Sequence, residues 1–317
     1  MTSANLGSRR YATVDVFTEQ IYEGNPVAVI LDAGGLTTPQ MQAIAREFNY
    51  VETTFVLPPA DPSCTAHVRI FTPMREVPFA GHPNLGTAFA LACQDAADGA
   101  EPRRRMTFEE AAGLVSIDID WQSGQPAGAE LTCPETLTRR GQFTATQMAA
   151  CLGLAPEDIR VDGHLPEVAS VGLPFAVVEL ATRDALRDAR LDMSAYVGVL
   201  PRDGAHALYL YTQDSDEPDT DLQARMFTSF QAEDPGTGSA ASAVSALLAE
   251  IRGCAELRLR IRQGVDMGRP STLLTHVARR SGHPPVVKLG GRCVSVMFGE
   301  VRVGGRALAA RERPAGD

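Results

Sequence analysis

The feature that most constrains this chain of 317 residues is that it repeats itself. Arg69-Ile-Phe-Thr72, followed by His82-Pro-Asn-Leu-Gly-Thr-Ala88 and an apolar run, returns as Arg225-Met-Phe-Thr228, followed by Asp234-Pro-Gly-Thr-Gly-Ser-Ala240 and a second apolar run. Gly24-Asn-Pro-Val-Ala-Val29 returns as Gly172-Leu-Pro-Phe-Ala-Val177. The offsets are 156 residues at the arginines, 152 at the prolines and 148 at the upstream block. Three blocks in one order at a near-constant spacing predict a duplicated unit. The length suits two domains of about 150 residues each, each with a core of its own.

Local patterns specify the unit. Residues 10–17 and 26–32 read as strands, rich in Val and bounded by Gly-Asn-Pro. Thr38 to Phe48 has helical spacing, with Thr37 or Thr38 as N-cap and Pro39 in the first turn. Glu52 to Leu57 and His67 to Phe71 are short strands. Gly86 to Cys93 and Ser239 to Ile251 are Ala-rich helical runs without a polar face, which predicts burial on all sides. Met106 to Trp121 reads as two strands around Ala112-Gly113, and Leu257 to Val277 as two strands around Met267-Gly-Arg-Pro270. The expectation is an α+β fold of two pseudo-symmetric domains, each a β-barrel wrapped on a central helix. The N-terminal domain spans 1–135, with a final strand near 298–310 returning to it, and the C-terminal domain spans 136–317. A linker is expected near Pro126 to Gly141, and a polar tail from Glu312 to Asp317.

Composition excludes several kinds of function. A net charge of -10 repels nucleic acid, and no basic stripe offsets it. No run of 18 uncharged apolar residues suggests a membrane span, and the first ten residues do not read as a signal peptide, so a cytoplasmic protein is expected. The six cysteines stand singly, without metal-ligand spacing, so no metal is expected. Lys288 is the only lysine, and it lies in a strand-like Pro-Val-Val-Lys-Leu-Gly-Gly segment, a poor place for a pyridoxal Schiff base. No phosphate loop or dinucleotide fingerprint is present. Chemistry is therefore expected from side chains, with no cofactor, on a small-molecule substrate.

Three titratable residues stand out. His82 and Asp234 precede the two apolar helices, whose free N–H groups and dipoles suit an anion. Gly81 and Gly238 permit close approach of a ligand, and Ser239 can donate a hydrogen bond there. Glu52 opens an otherwise apolar strand, where a carboxylate is costly unless it is paired or working. Its counterpart in the second half is expected near Gly204 or Ala205, so this acid is not part of the repeat. Desolvation raises such a carboxyl toward neutrality, as proton transfer requires.

These residues carry a resemblance. Val-Asp-Val-Phe-Thr with Gly-Asn-Pro-Val-Ala-Val (Val14 to Val29), Asn49 to Val56, Arg69 to Ala88, Glu233 to Ala240 and Gln263 to Ser271 together resemble the PhzF family of phenazine biosynthesis, which has the diaminopimelate-epimerase fold. The resemblance implies a homodimer with its active site between two barrel domains, and a cofactor-free isomerase of a dihydro-hydroxyanthranilate-like compound. It gives Glu52 the role of proton carrier, makes His82 and Asp234 its partners in the cleft, and assigns Gly81, Gly238 and Ser239 to substrate binding. Other readings are isomerisation of another conjugated amino acid, as in alkylproline pathways, a non-catalytic binder, or a hydrolase using Ser239, His82 and Asp234 as a triad.

Overall fold

The computed structural model describes residues 7–228, 233–279 and 282–304. The expected polar tail, and the part of the expected 298–310 strand beyond residue 304, lie outside them. In chain order the first half runs β1 (Ser8–Val16), β2 (Asn25–Ile30), α1 (Thr38–Phe48), β3 (Glu52–Leu57), β4 (Ala66–Phe71), β5 (Glu76–Val77), α2 (Gly81–Ala97), β6 (Arg105–Glu110), β7 (Gly113–Gln122) and β8 (Gln125–Thr132). The second half runs β9 (Thr138–Gln142), α3 (Ala145–Leu152), β10 (Glu167–Ser170), β11 (Pro174–Glu179), α4 (Arg183–Asp188), α5 (Met193–Tyr196), β12 (Ala207–Thr212), β13 (Leu222–Thr228), β14 (Glu233–Asp234), α6 (Gly238–Ile251), β15 (Glu256–Gln263), β16 (Ser271–Ala278) and β17 (Val286–Arg302).

The sheet is mixed. Pairing passes β1-β2-β3-β4-β6-β7-β8-β17 and returns from β17 to β1, closing a barrel of eight strands. Within it, β2/β3 and β4/β6 are parallel and the other pairs antiparallel. A second row, β10-β11-β12-β13-β15-β16-β17, uses the same order of senses, parallel at β11/β12 and β13/β15. With β9 on β10, this row stays open between β9 and β17 among the described residues. β17 belongs to both rows: Val286 to Gly290 pair with β16, Lys288 to Arg292 with β8, and the segment from Cys293 onward with β1. The returning strand thus begins well before residue 298. The expected linker is also mostly strand, because Pro126 to Thr132 lie in β8 and Thr138 to Gly141 in β9.

Each row curls around one helix. Gly81 to Ala92 of α2 are all buried, as are eleven of the fourteen residues of α6. Their small residues let the strands approach closely: a Cβ on Gly86 would overlap Val27 and lie 3.0 Å from Val16 Cγ2. Each fully buried Leu or Val in these helices contributes about 1.5–3 kcal/mol before entropy is subtracted. α1 matches its expected bounds, and Gln40 Oε1 accepts from the Thr37 backbone N–H at 2.9 Å. Asn49 ends it in the left-handed region at φ 54°.

The coordinates realign the repeat. Arg69 makes a two-pronged ion pair with Glu76, at 2.7 Å in both prongs, and Arg225 does the same with Glu233 at 2.8 and 2.9 Å. Each pair joins a strand to the two-residue strand after it, and each helix starts five residues beyond the glutamate. Gly81-His82 therefore corresponds to Gly238-Ser239, and Asp234 corresponds to Val77. The expected match of His82 with Asp234 through their prolines is corrected. Pro83 sits inside the first turn of α2, where its missing N–H costs nothing, whereas Pro235 lies ahead of α6. α2 likewise starts at Gly81 and not at Gly86. The register of β11 on β12 places Ala207 opposite Phe175, as Glu52 lies opposite Val27, so the neutral counterpart of Glu52 is Ala207 and not Gly204 or Ala205.

Candidate active site

Glu52 opens β3, beside the first residues of β2. His82 lies in the first turn of α2, and Asp234 on β14 in the approach to α6. The fold brings all three together. Glu52 Oε2 is 3.5 Å from His82 Nε2, with the two side chains 15% and 7% exposed. Asn25, the first residue of β2, bridges the other side. Its Nδ2 donates to Asp234 Oδ1 at 2.8 Å and to Gly236 O at 3.0 Å, and lies 3.4 Å from His82 Nδ1.

Burial, reinforced by the Asp234 charge, pushes the Glu52 carboxyl up to about 8. Burial pushes the His82 imidazole down to about 3, opposed by a hydrogen bond to the Pro26 carbonyl. At neutral pH Glu52 therefore carries its proton and His82 is uncharged. Nδ1 stands 3.4 Å from Asn25 Nδ2, and Nε2, which has no hydrogen-bond partner among the described residues, faces the Glu52 carboxyl. Glu52 Oε2, His82 Nε2 and Asn25 Oδ1 are buried polar atoms that the described protein leaves unsatisfied, as expected where a ligand or water completes a site.

Asp234 is held differently. Burial raises its carboxyl above the ordinary value, and hydrogen bonds from Thr237, Asn25 and the Gly236 backbone offset only part of that rise. Thr237 Oγ1 donates to Oδ2 in a short contact. Gln263 secures the turn: Nε2 donates to Asp234 O at 2.7 Å and Thr237 Oγ1 at 2.9 Å, and Oε1 accepts from Thr237 N at 3.0 Å. Tyr209, Met226 and Asp234 stand in one row across β12, β13 and β14. The buried Tyr209 hydroxyl has no hydrogen-bond partner among the described residues. Burial, and then the Asp234 charge, push it far above the usual phenol range.

The two helix starts face each other. A Cβ on Gly81 would lie 4.0 Å from Ser239 N and 3.2 Å from Leu289 Cδ2, and a Cβ on Gly238 would overlap the same leucine. Gly81 and Ser239 line a narrow cleft with Phe79, Leu173 and Leu289, so the N–H groups of both helices converge beside an apolar wall. His82 faces Glu52 through Nε2 and Asn25 through Nδ1. Among the described residues no hydrogen bond joins Ser239 to His82, so the geometry does not bring a hydrolytic triad together.

Sequence reasoning missed Asn25, Thr237, Tyr209 and Gln263. Asn25 was visible in the Gly-Asn-Pro block and Gln263 in the Gln-Gly block, but nothing local says that both reach Asp234. Among the described residues no cluster of His, Cys, Asp and Glu has the geometry of a metal site, and no helix is long and apolar enough to cross a membrane.

Comparison with known proteins identifies the family. Residues 14–299 match the family model described as phenazine biosynthesis-like protein. An uncharacterized isomerase of Mesorhizobium japonicum is 37% identical over 93% of this chain and 99% of its own. The trans-2,3-dihydro-3-hydroxyanthranilate isomerase of Pseudomonas chlororaphis is 32% identical over 92% of this chain and 98% of its own. Among solved structures, a PhzF-family phenazine biosynthesis protein of Bacillus anthracis superposes with a TM-score of 0.83 at 23% identity, over 93% of this chain and 99% of that one. A hydroxyproline epimerase of Agrobacterium vitis shares the fold at a TM-score of 0.60 and 16% identity, over 95% and 93%. The coverage is nearly complete on both sides, and the chain belongs to the phenazine biosynthesis-like (PhzC–PhzF) family.

Proposed function

We propose that this protein is a cofactor-independent isomerase that moves a proton along a small conjugated molecule bearing an amine and a carboxylate. A dihydro-hydroxyanthranilate-like compound of secondary metabolism fits that description. One observation carries the reading: a buried carboxyl and a neutral imidazole face each other at 3.5 Å, and neither of the facing atoms has a hydrogen-bond partner among the described residues. Relatives named as isomerases of trans-2,3-dihydro-3-hydroxyanthranilate support the substrate class.

In this mechanism ionised Glu52 takes a proton from one carbon, and the electron pair shifts through the conjugated system. The same carboxyl then returns the proton to a second carbon on the same face. His82 Nε2 accepts a hydrogen bond from Glu52 while Glu52 holds the proton, and Asp234 faces the substrate amine. The convergent N–H groups at Gly81, Gly238 and Ser239 bind the carboxylate. Proton transfer alone balances this reaction, so it calls for no cofactor or metal. The same reading takes the chain as two duplicated domains, 1–135 and 136–317, with β17 shared between them. It also takes the protein as a cytoplasmic homodimer acting without nucleic acid or membrane.

The test is incorporation of solvent deuterium into trans-2,3-dihydro-3-hydroxyanthranilate during turnover, followed by mass spectrometry. Wild-type protein should convert the compound, with label entering at carbon to the extent that the Glu52 proton exchanges with solvent before its return, and Glu52→Gln should do neither. Conversion by Glu52→Gln at the wild-type rate would end the case for this mechanism.

A further inference from the structure

The Gln263 to Ser271 block belongs to the family pattern, yet among the described residues only its first residue hydrogen-bonds the site described above. The two halves differ sharply here. β6 and β7 are joined by Ala111 and Ala112 alone, whereas β15 and β16 are joined by Gly264 to Pro270. Gly264 and Gly268 take φ of 75° and 73°, a conformation that favours glycine, and they turn this longer loop toward the first half. Its tip carries Arg269. The guanidinium donates from Nε to Gly24 O at 3.0 Å, and from Nη2 to Glu23 O at 2.9 Å and Asp15 Oδ1 at 2.8 Å. Gly24 N in turn donates to Pro270 O at 3.1 Å. Asp15 is buried in β1, and its other oxygen accepts from Tyr22 N at 2.7 Å. The segment 15–24 is thus tied at both ends to one arginine.

The residues that follow this segment are Asn25, which holds Asp234 and touches His82, and Pro26, whose carbonyl hydrogen-bonds the His82 ring. We propose that Arg269 is a positioning residue for the proton-transfer site, clamping the Asp15–Gly24 loop so that Asn25 and Pro26 hold His82 and Asp234 in register across the two halves. Arg269 touches none of the three candidate catalytic side chains in the contacts described. It acts through backbone carbonyls and one carboxylate. A planar guanidinium presents its donors in a fixed fork, whereas an ammonium offers three donors from one rotating centre. Gln263, at the start of the same loop, fixes the Asp234 turn. One loop therefore sets both sides of the Asn25–Asp234 contact.

The test compares Arg269→Met, Arg269→Lys and, as a control on an exposed arginine outside the site, Arg258→Met. The first readout is the imidazole nitrogen spectrum of the ligand-free protein, with the His82 signal assigned by its loss in His82→Gln. Wild type and Arg258→Met should show His82 as one fixed tautomer. Arg269→Met should move that signal toward the averaged value of a free ring, and Arg269→Lys should fall between. The second readout is turnover of trans-2,3-dihydro-3-hydroxyanthranilate. This arm rests on the isomerase reading and the first does not. A displacement of about 1 Å in such a site costs on the order of 100-fold in rate. kcat should therefore fall about that far in Arg269→Met while KM changes by less than about threefold, with partial rescue by Lys. If wild type does not turn the compound over, the isomerase reading fails and the His82 signal still decides the clamp. A folded Arg269→Met with the wild-type His82 signal would overturn it. Should that variant not fold, Arg269→Lys decides in the same way: a moved His82 signal supports the clamp, and an unmoved one overturns it.

Discussion

The two halves of this protein build the same frame and put different chemistry in it. Each has a strand arginine clasped by a glutamate, then a four-residue approach to a buried helix. At equivalent places the first half carries Asn25, Glu52, Val77, His82 and Glu110, and the second carries Leu173, Ala207, Asp234, Ser239 and Gln263. The buried Glu52 carboxyl and the imidazole come from one half and the Asp234 carboxyl from the other. None of these five pairs holds two acids, which avoids facing like charges in a buried site. The two opposed helix starts repeat, and the side chains around them do not.

The largest expected effect breaks that asymmetry at its centre. Replacing Glu52 with Gln should lower turnover by about 10³-fold, within the usual span for a general acid–base group, while leaving fold and ligand binding in place. Circular dichroism together with single-turnover deuterium exchange checks this. Next comes Asn25→Leu, which gives the first half the residue of the second. Asp234 and Gly236 then lose a shared donor in a buried setting, at about 1–3 kcal/mol, so kcat/KM should drop about 10- to 100-fold. An unchanged kcat/KM would mean that Asn25 merely fills space.

The pH dependence separates the acid from its surroundings. With the Glu52 carboxyl near 8, roughly a tenth is ionised at pH 7, so kcat/KM should rise about tenfold per pH unit up to about pH 8 and then level. A flat profile between pH 6 and 9 would contradict the assigned base. The same shift bears on stability. A carboxyl raised in the folded state favours folding fully only below its ordinary value, and that contribution is lost as pH climbs toward 8. Glu52→Gln should therefore be more stable than wild type at pH 8, by on the order of a few kcal/mol, with the gap closing toward pH 4.5. Urea midpoints across that range check it.

The smallest effect compares the two arginine clasps. Glu233→Gln leaves Arg225 with a 7% exposed guanidinium, and Glu76→Gln leaves Arg69 at 21%. The more buried pair should cost more, about 1–3 kcal/mol against at most about 1 kcal/mol. Arg225 also donates to Leu186 O, Arg187 O and Ala189 O, and these contacts survive the change. Equal midpoints for the two variants would show that burial does not distinguish them.

Much of the frame was legible along the chain. α1 was readable to the residue because a capping pattern, a proline and a left-handed asparagine mark its ends locally. The two apolar helices were readable as buried because neither has a polar face. The helix starts were not. The similar proline patterns at Pro83 and Pro235 suggested one alignment, and only the Arg69–Glu76 and Arg225–Glu233 clasps, closed through space, gave the right one. Glu52, His82 and Asp234 stood out as costly or reactive residues in apolar surroundings. Asn25, Thr237 and Gln263 did not, because a neutral amide or hydroxyl is unremarkable until its partner is known.

The amino-acid sequence by itself determined the internal repeat, most of the elements and the residue types able to move a proton, since periodicity, capping and desolvation cost act over a few residues. Only the tertiary structure decided that β17 serves both strand rows, that Glu52 faces Nε2 of His82, and that Arg269 reaches across to Gly24. The last two rest on contacts between groups 30 and 245 residues apart. Such contacts are set by strand register and barrel closure, and no local pattern encodes them.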